Sequence, residues 1–113
     1  MRQKIYFNRG KDVKIEAKEC VSLWSRFRGL MFRSKNTDSL VFIFKKPAKM
    51  SIHSFFCRKF IAIWLDDKNK IVEIREVEPW KLNIKPKKKF VKLFEIPINE
   101  KYKKIIEILV HRR

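Results

Sequence analysis

Two thiols and two imidazoles are the groups in this 113-residue chain best suited to nucleophilic or metal chemistry: Cys20, Cys57, His53 and His111. His53 and Cys57 lie close in sequence, within Ile52-His53-Ser54-Phe55-Phe56-Cys57. A thiol is activated by a base within about 2.6–3.2 Å, and a metal needs its donors at about 2.0–2.3 Å. The β-favouring Ile52, Phe55 and Phe56 predict an extended segment over 51–57, in which four residues cover about 13 Å. That span separates the two side chains too far for either task. Cys20 and Cys57 are therefore read as small buried thiols, left reduced in a cytosolic setting, and His53 as a hydrogen-bonded structural histidine. No catalytic residue, metal ligand or cofactor is assigned. With Gly10 and Gly29 the only glycines, a glycine-rich nucleotide cradle is absent too.

Charge offers a second kind of chemistry. Arg28 and Arg33 flank Leu30-Met31-Phe32, and guanidinium groups hold carboxylate or phosphate in bidentate fashion. One reading is an anion or ligand site lined by Arg28, Arg33, His53 and Arg58. The other pairs one of these arginines with a buried acid. Glu95, set in the apolar run Phe90–Ile96, is the candidate, because a buried carboxylate needs a partner.

The third kind is polyelectrolyte chemistry. Lysine and arginine number 29 against 12 acids, a formal net charge of +17. The basic residues cluster at Lys45-Lys46 with Lys49, at Lys85 with Lys87-Lys88-Lys89, at Lys101 with Lys103-Lys104, and at Arg112-Arg113. Trp80 and Tyr102 lie beside two of these clusters. Basic grooves with exposed aromatics bind single strands through phosphate contacts and base stacking. Lys45, Lys46, Lys85, Lys87, Lys88, Lys89 and Trp80 are the expected contacts to RNA, DNA or another polyanion. The competing reading is a solvated, heat-adapted surface: Lys and Ile abound, and Gln3 is the only glutamine. No helix-turn-helix, zinc-finger or RNA-recognition motif is present.

The elements that must position these groups follow from periodicity. Residues 3–8 and 12–19 alternate apolar and polar and flank the turn residues Asn8-Arg9-Gly10, which predicts a hairpin. Ser22 is placed to cap a short helix over 22–31 through Leu23, Phe27, Leu30 and Met31, ending near Gly29. The apolar run 39–44 suits a strand covered on both faces. Lys45 to Met50 reads as a basic loop around Pro47. Further strands are expected at 51–57, 60–65, 71–77 and 90–96, with a polar turn at 66–70 and a basic loop over 80–88. Pro79 and Pro97 act as stops. Asn99 would cap one helical turn, and 105–110 would form a last strand. The result is one mainly β domain, a sandwich or partly closed barrel with one or two short helices.

At 45% hydrophobic and 36% charged residues, the chain can build one core and is not a disordered tail. No stretch approaches the ~20 apolar residues that span a bilayer, and the N-terminus lacks the features of a signal peptide. The expectation is a cytoplasmic protein with no membrane partner.

Several motifs occur together and in order. Arg28-Gly29-Leu30-Met31-Phe32-Arg33 precedes the strand Leu40–Phe44. Ile52-His53-Ser54-Phe55-Phe56-Cys57-Arg58 and Ile61-Ala62-Ile63-Trp64-Leu65-Asp66 follow. Glu78-Pro79-Trp80 comes next, then Phe90 to Pro97. Over nearly its whole length the chain resembles the domain-of-unknown-function 192 family, also called uncharacterised protein family 0127, and its Ile-His-x-Phe-Phe segment resembles archaeal members. The resemblance implies a single mainly β domain over 1–113 with one or two short helices, and no established activity, substrate or cofactor. Against the family pattern, Cys57 stands in place of Met, Phe60 in place of Pro, Ala62 in place of an acid, and Ile98-Asn99 in place of a Gly. The function read here is a non-catalytic binding module with a polyanionic partner. The alternative is a small-ligand protein or enzyme built on the Arg/His set.

Overall fold

A computed structural model describes residues 2–8, 12–20, 29–31 and 36–111, with side chains for 15–20, 29–31 and 36–109. The expected hairpin forms: β1 (Arg2–Asn8) pairs antiparallel with β2 (Asp12–Glu19), from Arg2↔Lys18 to Asn8↔Asp12. Four more strands follow, β3 (Leu40–Ala48), β4 (Phe60–Leu65), β5 (Ile71–Val77) and β6 (Phe90–Pro97). They make one six-stranded sheet in the order β1-β2-β3-β6-β4-β5. Among the described strands only β2 and β3 run parallel, through Lys18↔Leu40 and Glu19↔Val41. The sheet is open, with β1 and β5 at its edges, so the mainly β expectation takes the form of a single twisted layer covered on both sides.

Alternation along the strands assigns the two faces. Ile15, Ala17, Val41, Ile61, Ile63, Leu65, Phe94 and Ile96 point to one core, which Tyr102 and Leu109 complete from the C-terminal helix α1 (Lys103–His111). Leu40, Phe42, Phe60, Ala62, Trp64 and Leu93 point to the other, where Leu30, Met31, Cys57 and Ile84 from connecting segments cover them. Every residue of β4 is buried, because this strand lies inside the sheet with both faces roofed. That explains its unbroken apolar run.

Four expectations need comment. The basic loop at 45–50 is in part strand: β3 runs to Ala48, with a register shift between Ile43 and Ala48. Bulging there lets Lys45, Lys46 and Pro47 stay exposed at the end of an otherwise buried strand. The strand at 51–57 does not form. Ile52 makes a lone bridge to Ile84, and a turn at Phe55-Phe56 follows, closed by Cys57 N–H donating to Ser54 O at 3.2 Å. The last strand, 105–110, is instead helix α1. A period of two would set Glu107 beside the fully buried Leu109, whereas a helix brings Tyr102, Ile105, Ile106 and Leu109 to one face and turns Glu107 outward. Asn99 does precede a helical turn, the 3-10 turn Glu100–Tyr102, but makes no side-chain cap and instead donates to Thr37 O at 3.0 Å.

The helix expected over 22–31 falls mostly on residues 21–28, outside the described residues; 29–31 form a turn in which Gly29 has φ +49°. Among the described residues, no helix is long and apolar enough to cross a membrane.

Candidate functional site

The second face of the sheet is roofed by two connecting segments, 49–59 and 78–89, and Ser54 ties them together. Its N–H donates to Lys81 O at 2.9 Å, and its carbonyl accepts from Trp80 N–H at 2.9 Å. Its hydroxyl donates to Glu78 O at 2.6 Å and accepts from Lys81 N–H at 2.7 Å. Ser54 is fully buried, so all its polar groups are satisfied by the opposite segment. The antiparallel bridge Ile52↔Ile84 continues the zipper.

This roof has an inner and an outer surface. Cys57 and Ile84 face the core. Phe56 and Trp80 are 50% and 60% exposed, and Met50 and Leu82 on the same two segments are exposed as well. The aromatic rings form a chain: His53 against Phe55 at 5.5 Å, Phe55 against Trp80 at 5.9 Å, and Phe56 edge-on to Trp80 at 4.7 Å. His53 is half-buried, and its Nδ1 accepts from Phe55 N–H at 3.2 Å. The extended geometry that separated His53 from Cys57 on paper is absent, because the chain turns between them. Among the described residues, no cluster of three or more His, Cys, Asp or Glu is placed to hold a metal.

Lysines border the same roof. The register Ala48↔Phe90 sets the next residues, Lys49 and Lys89, beside one another at the strand ends, and the Ile52↔Ile84 bridge keeps the two segments adjacent beyond them. Two basic clusters distant in sequence, Lys45-Lys46-Lys49 and Lys85-Lys87-Lys88-Lys89, are thereby drawn to one end of the sheet, and all seven lysines are exposed. The second loop is pinned to β5: Arg75 donates to Lys85 O at 3.2 Å, and Glu73 accepts from Lys87 N–H at 3.2 Å while also pairing with Arg75. Arg58 is exposed. Arg28 and Arg33 lie outside the described residues.

Beneath the roof lies a buried acid. Glu95 sits in the cross-strand row Leu40–Glu95–Ala62, with Ala62 leaving one carboxyl in that row. Burial pushes Glu95 up to about 8, opposed by a hydrogen bond from the Leu30 main-chain N–H. Burial also pushes the Cys57 thiol up to about 12, and the nearby Glu95 adds to the shift; such a thiol holds its proton at neutral pH and is a poor nucleophile. Its S–H donates to Phe55 O at 3.5 Å.

Trp80 was legible in the sequence as an aromatic beside a lysine run. Phe56 was not, because a residue read as part of a strand has no reason to be singled out; the Phe-Phe pair beside Ser54 was the available signal.

Comparison with known proteins agrees with the architecture. The DUF192 family model, described as "Uncharacterized ACR", matches residues 5–108. A UPF0127 protein of Pyrococcus furiosus is 30% identical over 79 residues, 67% of this chain and 67% of that protein. A UPF0127 protein of Thermococcus kodakarensis is 33% identical over 93 residues, which cover 80% of this chain but 59% of that longer relative. A candidate transcription regulator of Sinorhizobium meliloti shares the fold with a TM-score of 0.72 and 14% identity, over 92% of this chain and 84% of that one. A Novosphingobium aromaticivorans protein of unknown function superposes with a TM-score of 0.71 and 11% identity, over 88% and 74% of the two chains.

Proposed function

The chain belongs to the DUF192 family, and on that footing we propose that it is a non-catalytic binding module whose partner is a nucleic acid. The observation that supports this reading is the convergence of Lys45, Lys46, Lys49, Lys85, Lys87, Lys88 and Lys89 at one end of the sheet, through the Ala48↔Phe90 register and the Ile52↔Ile84 bridge. Side chains from separate stretches of sequence thus come together at the Ala48/Phe90 end of the sheet, while the exposed rings of Phe56 and Trp80 sit on the same roof toward its Phe60/Val77 end. With a net charge of +17, a polyphosphate chain is attracted from a distance and held by release of its counterions. The chemistry beneath the surface does not favour catalysis: Cys57 keeps its proton, and His53 is engaged with the backbone through Nδ1.

Binding of this kind is salt-sensitive and weakly sequence-selective. Filter-binding or gel-shift titration with oligouridylate and with duplex DNA at low ionic strength tests it directly. Retention of the probe, lost on adding salt, supports the reading. No retention of either probe at low salt ends it.

A further inference from the structure

Resting on that polyanion reading, we infer that the roof selects single-stranded over duplex nucleic acid, with unpaired bases seated on the Phe56 and Trp80 rings. Lysines alone do not discriminate, since both forms offer phosphates. Rings do, because a duplex keeps its base faces stacked inside and a single strand presents them to an aromatic platform.

Four features support the assignment. Phe56 and Trp80 each leave half or more of their surface to solvent, at 50% and 60%, although large apolar side chains are ordinarily withdrawn from water. Both occupy left-handed backbone, with φ of +58° and +64°, a conformation in which a side chain's Cβ crowds the following carbonyl. Such strained positions persist where the surroundings enforce them, and they cluster at functional sites. Here Ser54 enforces them: it accepts from Trp80 N–H, and its hydroxyl bonds to Glu78 and Lys81 on either side of Trp80, while Cys57 N–H closes the turn that carries Phe56. The platform is therefore fixed before any ligand arrives, which lowers the ordering cost of binding. Finally, the rings form a contacting series from His53 through Phe55 and Trp80 to Phe56, an arrangement suited to successive bases. An anionic membrane surface is the rival occupant, since Met50 and Leu82 are also exposed; the ring series and its rigid mounting favour bases over acyl chains.

The test uses the full chain with three fluorescent probes: oligouridylate, a duplex of matched length, and vesicles of mixed phosphatidylserine and phosphatidylcholine. Trp80→Gly removes the ring while relieving the left-handed backbone, so it is expected to fold; Trp80→Phe keeps a ring. The expected result is oligouridylate binding weakened about 10-fold or more by Trp80→Gly, largely retained in Trp80→Phe, and duplex binding changed little by either. Duplex bound as tightly as single strand, or equal losses for both probes in Trp80→Gly, overturns the inference and leaves the polyanion reading standing. Binding of neither nucleic acid ends both. Vesicle binding that is lost in Trp80→Gly, with oligouridylate unaffected, assigns the rings to a membrane and overturns the inference.

Discussion

A Cβ atom placed on Gly29 would stand 2.8 Å from Oε1 of Glu95. The turn at 29–31 thus rests its backbone directly on the buried carboxyl, and the Leu30 N–H hydrogen bond fixes the approach. Gly29 also has φ +49°, so any other residue there meets both backbone strain and a collision. Gly29→Ala should lower stability by roughly 2–4 kcal/mol, combining left-handed strain with overpacking. Urea unfolding measures the loss. In a Glu95→Ala background the same substitution should cost less, because the atom it strikes is gone.

The same carboxyl gives the protein a pH-dependent stability of defined sign. Burial raises Glu95 from 4.5 to about 8 in the folded state. Between those values the unfolded chain has released a proton that the folded chain keeps, so stability falls as pH rises. The contribution is complete below about 4.5, declines through the neutral range and is gone above about 8. Thermal melts of Glu95→Gln, which cannot ionise, should show a flatter profile from pH 5 to pH 9 than the parent, with the two curves diverging most on the alkaline side. Parallel curves would remove Glu95 as the cause.

Ser54 carries the mounting of the aromatic roof. Ser54→Ala leaves the part-buried Lys81 N–H without its hydroxyl partner at 2.7 Å and frees the Glu78 carbonyl. The expected loss is about 1–3 kcal/mol, read by chemical denaturation. Binding of oligouridylate should weaken as well, since Phe56 and Trp80 are positioned through this residue.

How far the sequence foretold this arrangement depends on the kind of signal each segment holds. The hairpin β1–β2 and strands β4, β5 and β6 were legible because period-two alternation or a short apolar run between turn residues leaves few alternatives. Glu95 was legible as a buried acid because it interrupts such a run. The segment 51–57 misled for a physical reason: Ile52, Phe55 and Phe56 have strand propensity, but Ser54 satisfies the opposite loop and forces a turn. Tertiary hydrogen bonds there override local preference. The run 105–110 is ambiguous by composition, and only packing of Tyr102, Ile105, Ile106 and Leu109 on the sheet decides for a helix. The convergence of two lysine clusters was not legible at all, because it depends on which strands pair across the sheet.

The helical assignment of the C-terminal segment makes its own prediction. Leu109 is fully buried, whereas the adjacent Ile108 is 38% exposed. Leu109→Ala should cost about 2–5 kcal/mol, while Ile108→Ala should fall within about 1 kcal/mol of the parent. Paired urea titrations compare them. A larger penalty at 108 than at 109 would contradict the packing of α1.

The most direct test of the central claim is the salt dependence of oligouridylate affinity, measured by fluorescence anisotropy for the parent chain and for a Lys88→Ala/Lys89→Ala variant. The account predicts that the logarithm of affinity falls linearly with the logarithm of salt concentration, by about 0.7 for each phosphate contact. The variant should be weaker and its slope shallower by about 1.4, for two lost contacts at about 0.7 each. An affinity that ignores salt, or a variant with the parent's affinity and slope, would contradict it.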